Sequence, residues 1–343
     1  MRPVRALIVD DSASMRAVLN RILSADPDIE VVGMAPEPHA ARAMIKELNP
    51  DVITLDIEMP KMDGLSFLEK IMRLRPMPVV MCSTLTARGA EATVEALRLG
   101  AVDCIAKPTG NPLEIAQDAS MLCRTVRNAG RASVRRSLAA PGPTAAAIRT
   151  PAGGFRDTVI AIGASTGGVE ALFELLPRLP ADCPPVLVVQ HMPASFTGSF
   201  AARLDRECQV RVVEATDATP VVRGTVYIAP GGATHMELAG GRFGRIRLRA
   251  GDLVAGHRPS VDVLFRSVAE LGSAAVGAIL TGMGSDGAQG MLAMRQAGAR
   301  TMSQSRESCV IYGMPRAAFE LGAAEREISL SNMPEAILGA CRN

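Results

Sequence analysis

Residues 159–168, VIAIGASTGG, join an aliphatic run to a cluster of glycine, alanine, serine and threonine. The following stretch, VEALFELL at 169–176, places its apolar side chains at helical spacing. A buried strand that turns sharply into a helix is the repeating unit of an α/β fold with a parallel sheet. The small residues of the turn suit two chemistries, a phosphate-binding loop and the seat of a serine nucleophile.

The same alternation of apolar runs and helical patterns extends to both sides of this stretch. We predict an N-terminal doubly wound domain over 1–125, a flexible linker over 126–156 and a C-terminal α/β parallel-sheet domain over 157–343. A glycine-rich hairpin is expected at 236–251. The candidate strands are 4–10, 29–35, 51–56, 78–83, 101–107, 158–163, 185–190, 210–215, 225–230, 276–280 and 300–304.

Composition excludes several classes of protein. The net charge is +2 and aromatic residues make up 3% of the 343 residues, so neither a basic footprint nor a base-stacking platform for nucleic acid is present. No apolar run in the sequence approaches the ~18 residues of a membrane span, so we expect no membrane insertion. The seven cysteines contain no C-x-x-C pair, which disfavours a disulfide or zinc framework and favours the reducing cytoplasm.

Three carboxylates end two predicted strands of the first domain. Asp10 and Asp11 follow the first strand and Asp56 ends the third, and these strands are neighbours in a sheet of order 2-1-3-4-5. Oxygen ligands of this kind favour Mg²⁺. A hydroxyl pair, Ser83-Thr84, and the cation Lys107 end the last two strands. A metal and a lysine around one aspartate predict phosphorylation of that aspartate, although Asp10 and Asp11 could also simply cap a helix.

The motifs VDDS (9–12), LDIEMPKMDGL (55–65), CST (82–84) and KP (107–108) resemble those of the receiver domain of two-component response regulators. The resemblance implies a flavodoxin-like fold and phosphorylation by a histidine kinase. It also implies the following roles: phosphoacceptor Asp56; Mg²⁺ ligands Asp10, Asp11, Asp56 and the backbone carbonyl of Glu58; phosphoryl-binding Lys107; switch hydroxyl Ser83, with Thr84 second. One departure is Cys104, because the family often has an aromatic residue near this position.

In the second domain, the phosphate-binding hypothesis for the opening stretch fails. Ser165 stands where a dinucleotide fingerprint needs its middle glycine, and the next strand ends in Gln190-His191 instead of an acidic residue. A Walker-type loop would need a lysine that is missing here. The pattern G-x-S-x-G at 163–167 instead favours a nucleophilic serine.

A serine nucleophile needs a base and a carboxylate. Among four histidines, His191 ends the strand that follows the Ser165 unit, and His235 and His257 are second choices. Asp286 lies in a glycine-rich turn after another buried strand, where it could orient the imidazole or merely cap the next helix. The N–H of Met283 in the same turn could help to bind an oxyanion.

The segments IGASTGG (162–168), QHMP (190–193), PSVDVLF (259–265) and LTGMGSDGAQG (280–290) resemble the methylesterase domain of the CheB family of chemotaxis protein-glutamate methylesterases. The resemblance implies a Ser165–His191–Asp286 triad with oxyanion support near Thr166 and Met283. It implies no cofactor in this domain. The implied substrates are glutamate methyl esters and glutamines of chemoreceptors, and the implied phosphodonor is a chemotaxis histidine kinase.

Domain order predicts that the first domain restrains the second until Asp56 is phosphorylated. Two rival hypotheses remain open. A phosphorylation-controlled transcription factor would need a basic recognition helix, and the second domain shows strands and glycine-rich turns instead. A scaffold protein that only binds partners would not need the Ser165, His191 and Asp286 set.

Overall fold

The computed structural model describes residues 2–59, 63–83, 86–108, 112–132, 134, 148, 154–241 and 243–342. The chain separates into two compact units, residues 1–140 and residues 141–343. In the described part of the chain, no helix has both the length and the apolar character needed to cross a membrane.

The first unit is built on a five-stranded parallel sheet of order β2-β1-β3-β4-β5, which confirms the predicted doubly wound topology. Its strands are β1 Val4–Val9, β2 Ile29–Ala35, β3 Val52–Asp56, β4 Val79–Ser83 and β5 Asp103–Ala106. Its helices are α1 Ala13–Ser24, α2 Pro38–Leu48, α3 Gly64–Leu74, α4 Ala87–Arg98 and α5 Pro112–Ala129. Helix α5 continues past residue 125, where the first domain was predicted to end, and most of 133–153 lies outside the described residues.

Ser12, and not one of the two aspartates before it, is the N-cap residue of helix α1. The side chain of Ser12 accepts a hydrogen bond from the Met15 amide, as an N-cap residue does. Asp10 does not cap the helix and instead accepts from the amide of Ser12 at 2.9 Å. The alternative interpretation of Asp10 and Asp11 as helix caps is therefore wrong.

The second unit contains a seven-stranded parallel sheet of order β14-β13-β12-β6-β7-β9-β8. The predicted hairpin is present as a separate antiparallel pair, β10–β11. The strands are β6 Val159–Ala164, β7 Val186–Gln190, β8 Arg211–Glu214, β9 Thr225–Ile228, β10 Thr234–Ala239, β11 Arg245–Ala250, β12 Ala275–Ile279, β13 Arg300–Gln304 and β14 Arg326–Ile328. The helices are α6 Gly168–Leu175, α7 Ala194–Glu207, α8 Val261–Ala269, α9 Ala288–Gln296, α10 Met314–Glu320 and α11 Met333–Ala340.

The centre of this sheet positions the candidate triad. Strands β12, β6 and β7 are buried along their whole length, as expected for parallel strands covered on both faces. Gly163 near the end of β6 pairs with Ile279 on one side and Val189 on the other. The turns that follow these three strands therefore emerge side by side at one edge of the sheet.

Candidate active site

Ser165 lies in the turn between β6 and α6, largely buried. Its amide donates to the Thr281 carbonyl at 3.0 Å, so the turn after β12 supports the turn that carries the serine. Gly167 closes the turn with a φ of 77°, in the left-handed region that favours glycine. The G-x-S-x-G pattern is thus explained by the backbone of the turn.

The turn after β12 approaches Ser165 closely because residue 282 is glycine. A β-carbon there would lie 2.7 Å from the Ser165 Cβ and 2.4 Å from the Met314 Sδ. The amide of the next residue, Met283, makes no hydrogen bond with the described residues. The Thr166 carbonyl accepts from the Thr281 hydroxyl at 3.1 Å. Both segments that were predicted to support an oxyanion therefore border the serine.

His191 follows β7, and its amide donates to the Ala164 carbonyl at 3.0 Å, next to the serine turn. Its Nε2 lies 2.9 Å from Oδ2 of Asp286, and its buried Nδ1 has no partner among the described residues. No hydrogen bond between His191 and the Ser165 hydroxyl is present in the described part of the chain. Such catalytic hydrogen bonds are often long before substrate binds. Nδ1 is the imidazole nitrogen left to receive a proton.

The two second-choice histidines have different roles. His257 stacks on His191 with ring centroids 3.8 Å apart and planes 3° from parallel. Parallel rings cannot aim their in-plane lone pairs at one ion, so this histidine pair is unsuited to a shared metal. His235 is buried, and its Nδ1 accepts from the Ser260 amide at 3.2 Å while its Nε2 donates to the Asp252 carbonyl at 2.8 Å. With both nitrogens occupied, His235 is not placed to act as a base.

Asp286 is anchored at the N-terminus of α8. Its carboxylate accepts from the Ser260 hydroxyl at 2.7 Å and from the amides of Val261 at 2.8 Å and Asp262 at 3.0 Å. Burial alone would raise its pKa, but the hydrogen bond and charge of His191, the Asp262 amide and the Ser260 hydroxyl together hold the pKa below its usual value. An ionised carboxylate at a helix N-terminus is also favoured by the helix dipole.

The alternative role of Asp286 as a cap of α9 is wrong. The residue before α9 is Gly287, and the start of that helix receives a different carboxylate, because Asp262 accepts from the Gly290 amide at 2.6 Å. Ser260 stands immediately before an apolar helical run, which is a sequence signal for the start of α8, and Asp262 lies in the first turn of that helix.

Gln190 is a site residue that sequence reasoning missed. Its buried side-chain amide donates to the Ser165 carbonyl at 2.9 Å and to the His191 carbonyl at 3.0 Å. One side chain therefore ties together the backbones that carry the predicted nucleophile and base. The sequence predicts only that Gln190 ends a strand. Its hydrogen bond to the Ser165 carbonyl depends on how two strands pack, which the sequence pattern does not show.

The first unit brings its three carboxylates together. Carboxylate oxygens of Asp10, Asp11 and Asp56 lie within 4.8 Å of one another. Lys107 Nζ lies 2.9 Å from Asp10 Oδ2 and 2.8 Å from Asp56 Oδ2. Burial raises the pKa of Asp56 above its usual value even though Lys107 opposes this shift. Three carboxylates facing a single lysine leave excess negative charge on hard oxygen donors, which fits a divalent cation.

The remaining residues of this acidic site are placed as follows. The Glu58 amide donates to Asp56 Oδ1 at 3.2 Å, so the Glu58 peptide adjoins the acidic group. Ser83 ends β4, and its buried hydroxyl donates to the Gly89 carbonyl at 3.2 Å. Thr84 lies outside the described residues. Cys104 is buried in β5, where burial raises the pKa of its thiol.

Comparisons with known proteins agree with this architecture. Residues 6–118 match the response regulator receiver domain, and residues 160–337 match the CheB methylesterase family. A Caulobacter vibrioides protein named protein-glutamate methylesterase/protein-glutamine glutaminase 1 is 58% identical, over 98% of both chains. An Agrobacterium fabrum protein, named protein-glutamate methylesterase/protein-glutamine glutaminase, is 53% identical over 97% of this chain and 95% of its own.

A solved structure matches the second unit. The Thermotoga maritima CheB methylesterase catalytic domain is 37% identical with a TM-score of 0.51, covering 53% of this chain and 97% of its own. The family match spans more than half of the chain, and the curated relatives cover nearly all of it. The chain therefore belongs to the CheB methylesterase family, with an N-terminal response regulator receiver domain.

Proposed function

We propose that this chain hydrolyses glutamate methyl esters of chemoreceptors and deamidates receptor glutamines through Ser165, His191 and Asp286. We further propose that phosphorylation of Asp56 activates it. The names of the relatives support the substrate class. The triad rests on one observation above all: Asp286, anchored by the α8 N-terminus, contacts His191 at 2.9 Å beside a serine in a strand-to-helix turn.

Acylation begins at the serine hydroxyl. The Ser165 hydroxyl oxygen attacks the ester carbonyl while His191 takes the hydroxyl proton. Asp286 stabilises the imidazolium that forms. Backbone amides near Thr166 and Met283 stabilise the oxyanion. His191 then gives its proton to the departing methoxide, so methanol leaves and an acyl-serine remains.

Deacylation repeats these steps with water. His191 removes a proton from water, the hydroxide attacks the acyl-serine, and the Ser165 oxygen regains a proton as the glutamate carboxylic acid leaves. A glutamine substrate follows the same course with ammonia as the first leaving group. One site thus accounts for both activities in the names of the relatives.

The receiver domain supplies the control. Asp56 attacks the phosphorus of a phosphohistidine on a chemotaxis histidine kinase, forming an acyl phosphate as the phosphorus–nitrogen bond breaks. Asp10, Asp11, Asp56 and the backbone carbonyl of Glu58 would hold Mg²⁺, which neutralises phosphoryl charge. Lys107, which already contacts Asp56, holds a phosphoryl oxygen, and the Ser83 hydroxyl is the switch group.

We place these reactions in the cytoplasm. Each of the seven cysteines is a free thiol, and all except Cys208 are buried. Free thiols of this number are typical of a reducing compartment.

The test measures methanol release from methylated receptor membranes, with and without acetyl phosphate and Mg²⁺. Wild type, Ser165→Ala and Asp56→Ala are compared. We expect release that requires Ser165 and that rises with acetyl phosphate only when Asp56 is present. Release that persists in folded Ser165→Ala would reject the triad, and stimulation that persists in Asp56→Ala would reject the phosphorylation site.

A further inference from the structure

A cleft of about 420 Å³ lies between α2 and α3 of the first unit. Its apolar lining includes the buried side chains of Ile45 on α2, Phe67 and Ile71 on α3, and Met77 beyond α3. Leu74 at the end of α3 also lines the cleft and is 66% exposed. The volume falls in the range of about 300–1,000 Å³ that is usual for ligand sites. The lining shares no residue with either site described above.

The charged residues that line the cleft are all basic. Arg42 and Lys46 lie on α2, one turn apart, and Lys70 and Arg75 come from α3 and the residue after it. Arg42 and Lys46 are exposed and form no hydrogen bond or ion pair with the described residues. The whole chain has almost equal numbers of acidic and basic residues, whereas the cleft lining contains no aspartate or glutamate to balance its basic residues.

The two helices are fixed to each other at one end of the cleft. Arg75 donates to the Ile45 carbonyl at 2.9 Å and also binds the side chain of Asn49, the C-cap residue of α2. This contact holds the C-terminal ends of α2 and α3 together. Helices α2 and α3, which form the two walls of the cleft, are thus fixed to each other at their C-terminal ends.

We infer that this cleft is a docking surface for an amphipathic helix of a partner protein, with an apolar stripe flanked on both sides by aspartate or glutamate. Apolar side chains at positions i, i+4 and i+7 of such a helix would enter the cleft between Phe67 and Leu74. Its flanking carboxylates would meet Arg42 and Lys46 on the α2 wall and Lys70 on the α3 wall.

The arrangement of charge favours a helix over a single-headed anionic amphiphile. Cations stand on both walls of the cleft, so the occupant must carry negative charge along two edges. A fatty acid carries one carboxylate, at one end of its chain. An acidic amphipathic helix presents carboxylates on both sides of its apolar stripe along its whole length.

The test uses synthetic helical peptides and the full chain. The probe is a peptide of about 15 residues with leucine at i, i+4, i+7 and i+11 flanked by glutamate, stapled to hold its helix. A second peptide replaces every glutamate with lysine. Binding is measured by fluorescence anisotropy to wild type, to Arg42→Glu/Lys46→Glu and to the control Arg21→Glu/Arg124→Glu, which reverses two exposed cations on α1 and α5.

We expect the acidic peptide to bind wild type and the control alike, and its affinity to fall at least about tenfold in Arg42→Glu/Lys46→Glu. The lysine peptide should gain affinity for that variant. Thermal melting confirms that each variant is folded. Failure of the acidic peptide to bind, equal binding of both peptides, or equal losses in the two variants would overturn the inference. Dodecanoate that displaces the acidic peptide and binds more tightly would assign the cleft to a lipid instead.

Discussion

Asp262 and Asp286 each accept backbone hydrogen bonds from the first turn of the other residue's helix. Asp286, just before α9, accepts hydrogen bonds from the amides of Val261 and Asp262 at the start of α8. Asp262 accepts in return from the Gly290 amide at the start of α9. The carboxylate that contacts His191 is thereby fixed by two packed helices, although Asp286 itself lies in a turn.

Both carboxylates bind a helix start, but only that of Asp286 also contacts His191. Asp286→Asn should lower kcat for methanol release by about 10³- to 10⁴-fold, because an amide no longer stabilises the imidazolium of His191. Asp262→Asn, the matched control, keeps an oxygen for the Gly290 amide and should lower kcat less than about tenfold. Rate measurements on both folded variants check this prediction. Equal losses would mean that Asp286 acts only through the helix caps.

Stability should depend on pH through Asp262. Burial raises the pKa of Asp262, the Gly290 hydrogen bond opposes this shift, and the charge of Asp286 adds to it. A carboxyl whose pKa is raised by folding costs stability as pH rises from its ordinary value of 3.8 through the folded pKa. Asn at 262 does not titrate, so Asp262→Asn should gain stability relative to wild type between about pH 3.5 and pH 7.

Urea unfolding of wild type and Asp262→Asn across that range provides the measurement. The informative quantity is the difference in unfolding free energy at each pH, because other titrating groups are shared by the two proteins. A difference that stays constant, or that favours wild type as pH rises, would contradict the raised pKa.

Gln190→Leu should affect both stability and rate. The half-buried His191 carbonyl would lose its side-chain donor, whereas the Ser165 carbonyl would keep the Gly168 amide, so we expect a loss of about 1 kcal/mol. Misplacement of the Ser165 and His191 backbones should lower kcat on the order of 10²-fold. Gln304→Leu is the comparison, because that buried side chain also bridges two backbone groups, the Thr281 amide and the Ser308 carbonyl. We expect a similar stability loss but a smaller loss of kcat. Calorimetry with methanol release distinguishes the two.

Gly282→Ala should damage the site by direct crowding. The new methyl group would lie 2.7 Å from the Ser165 Cβ, so the serine turn or the β12 turn must shift. Gly284 is the comparison: its φ is 85°, but a methyl group there would have open space around it. Gly284→Ala should therefore lower the unfolding free energy by about 1 kcal/mol through backbone strain and change the rate little. Activity retained by Gly282→Ala would show that the turn can move without displacing Ser165.

Sequence patterns predicted the parts of this protein that depend on strand ends. The α/β alternation predicts a parallel sheet, and in the doubly wound order 2-1-3-4-5 the strands that end in Asp10 and Asp56 are neighbours. The structure confirms that order. His191 and Asp286 were chosen for the same reason, and the structure brings them into contact. Strand ends are predictable because parallel strands must direct their carboxyl ends to one edge.

Features set by contacts between distant segments were not predictable. Strand β14 is not predicted by the sequence patterns because its three residues, at the sheet edge, contain no apolar run. The stacking of His257 on His191 and the bridging role of Gln190 depend on where loops return in space. The segment 259–265 carries a family motif, but Asp286 is held by backbone amides of this segment, and side-chain identity does not predict backbone contacts.

The strand order of the second unit has a consequence for its synthesis. Strand β6 is made first but lies inside the finished sheet, with β7, β9 and β8 on one side and β12, β13 and β14 on the other. Until residues 275–279 have left the ribosome, β6 has an open apolar edge that invites pairing with other chains. A chain stalled before that point holds Ser165 and His191 but not Asp286. Growth of the nascent chain by about ten residues would therefore cover the open edge of β6 and add the third residue of the proposed triad.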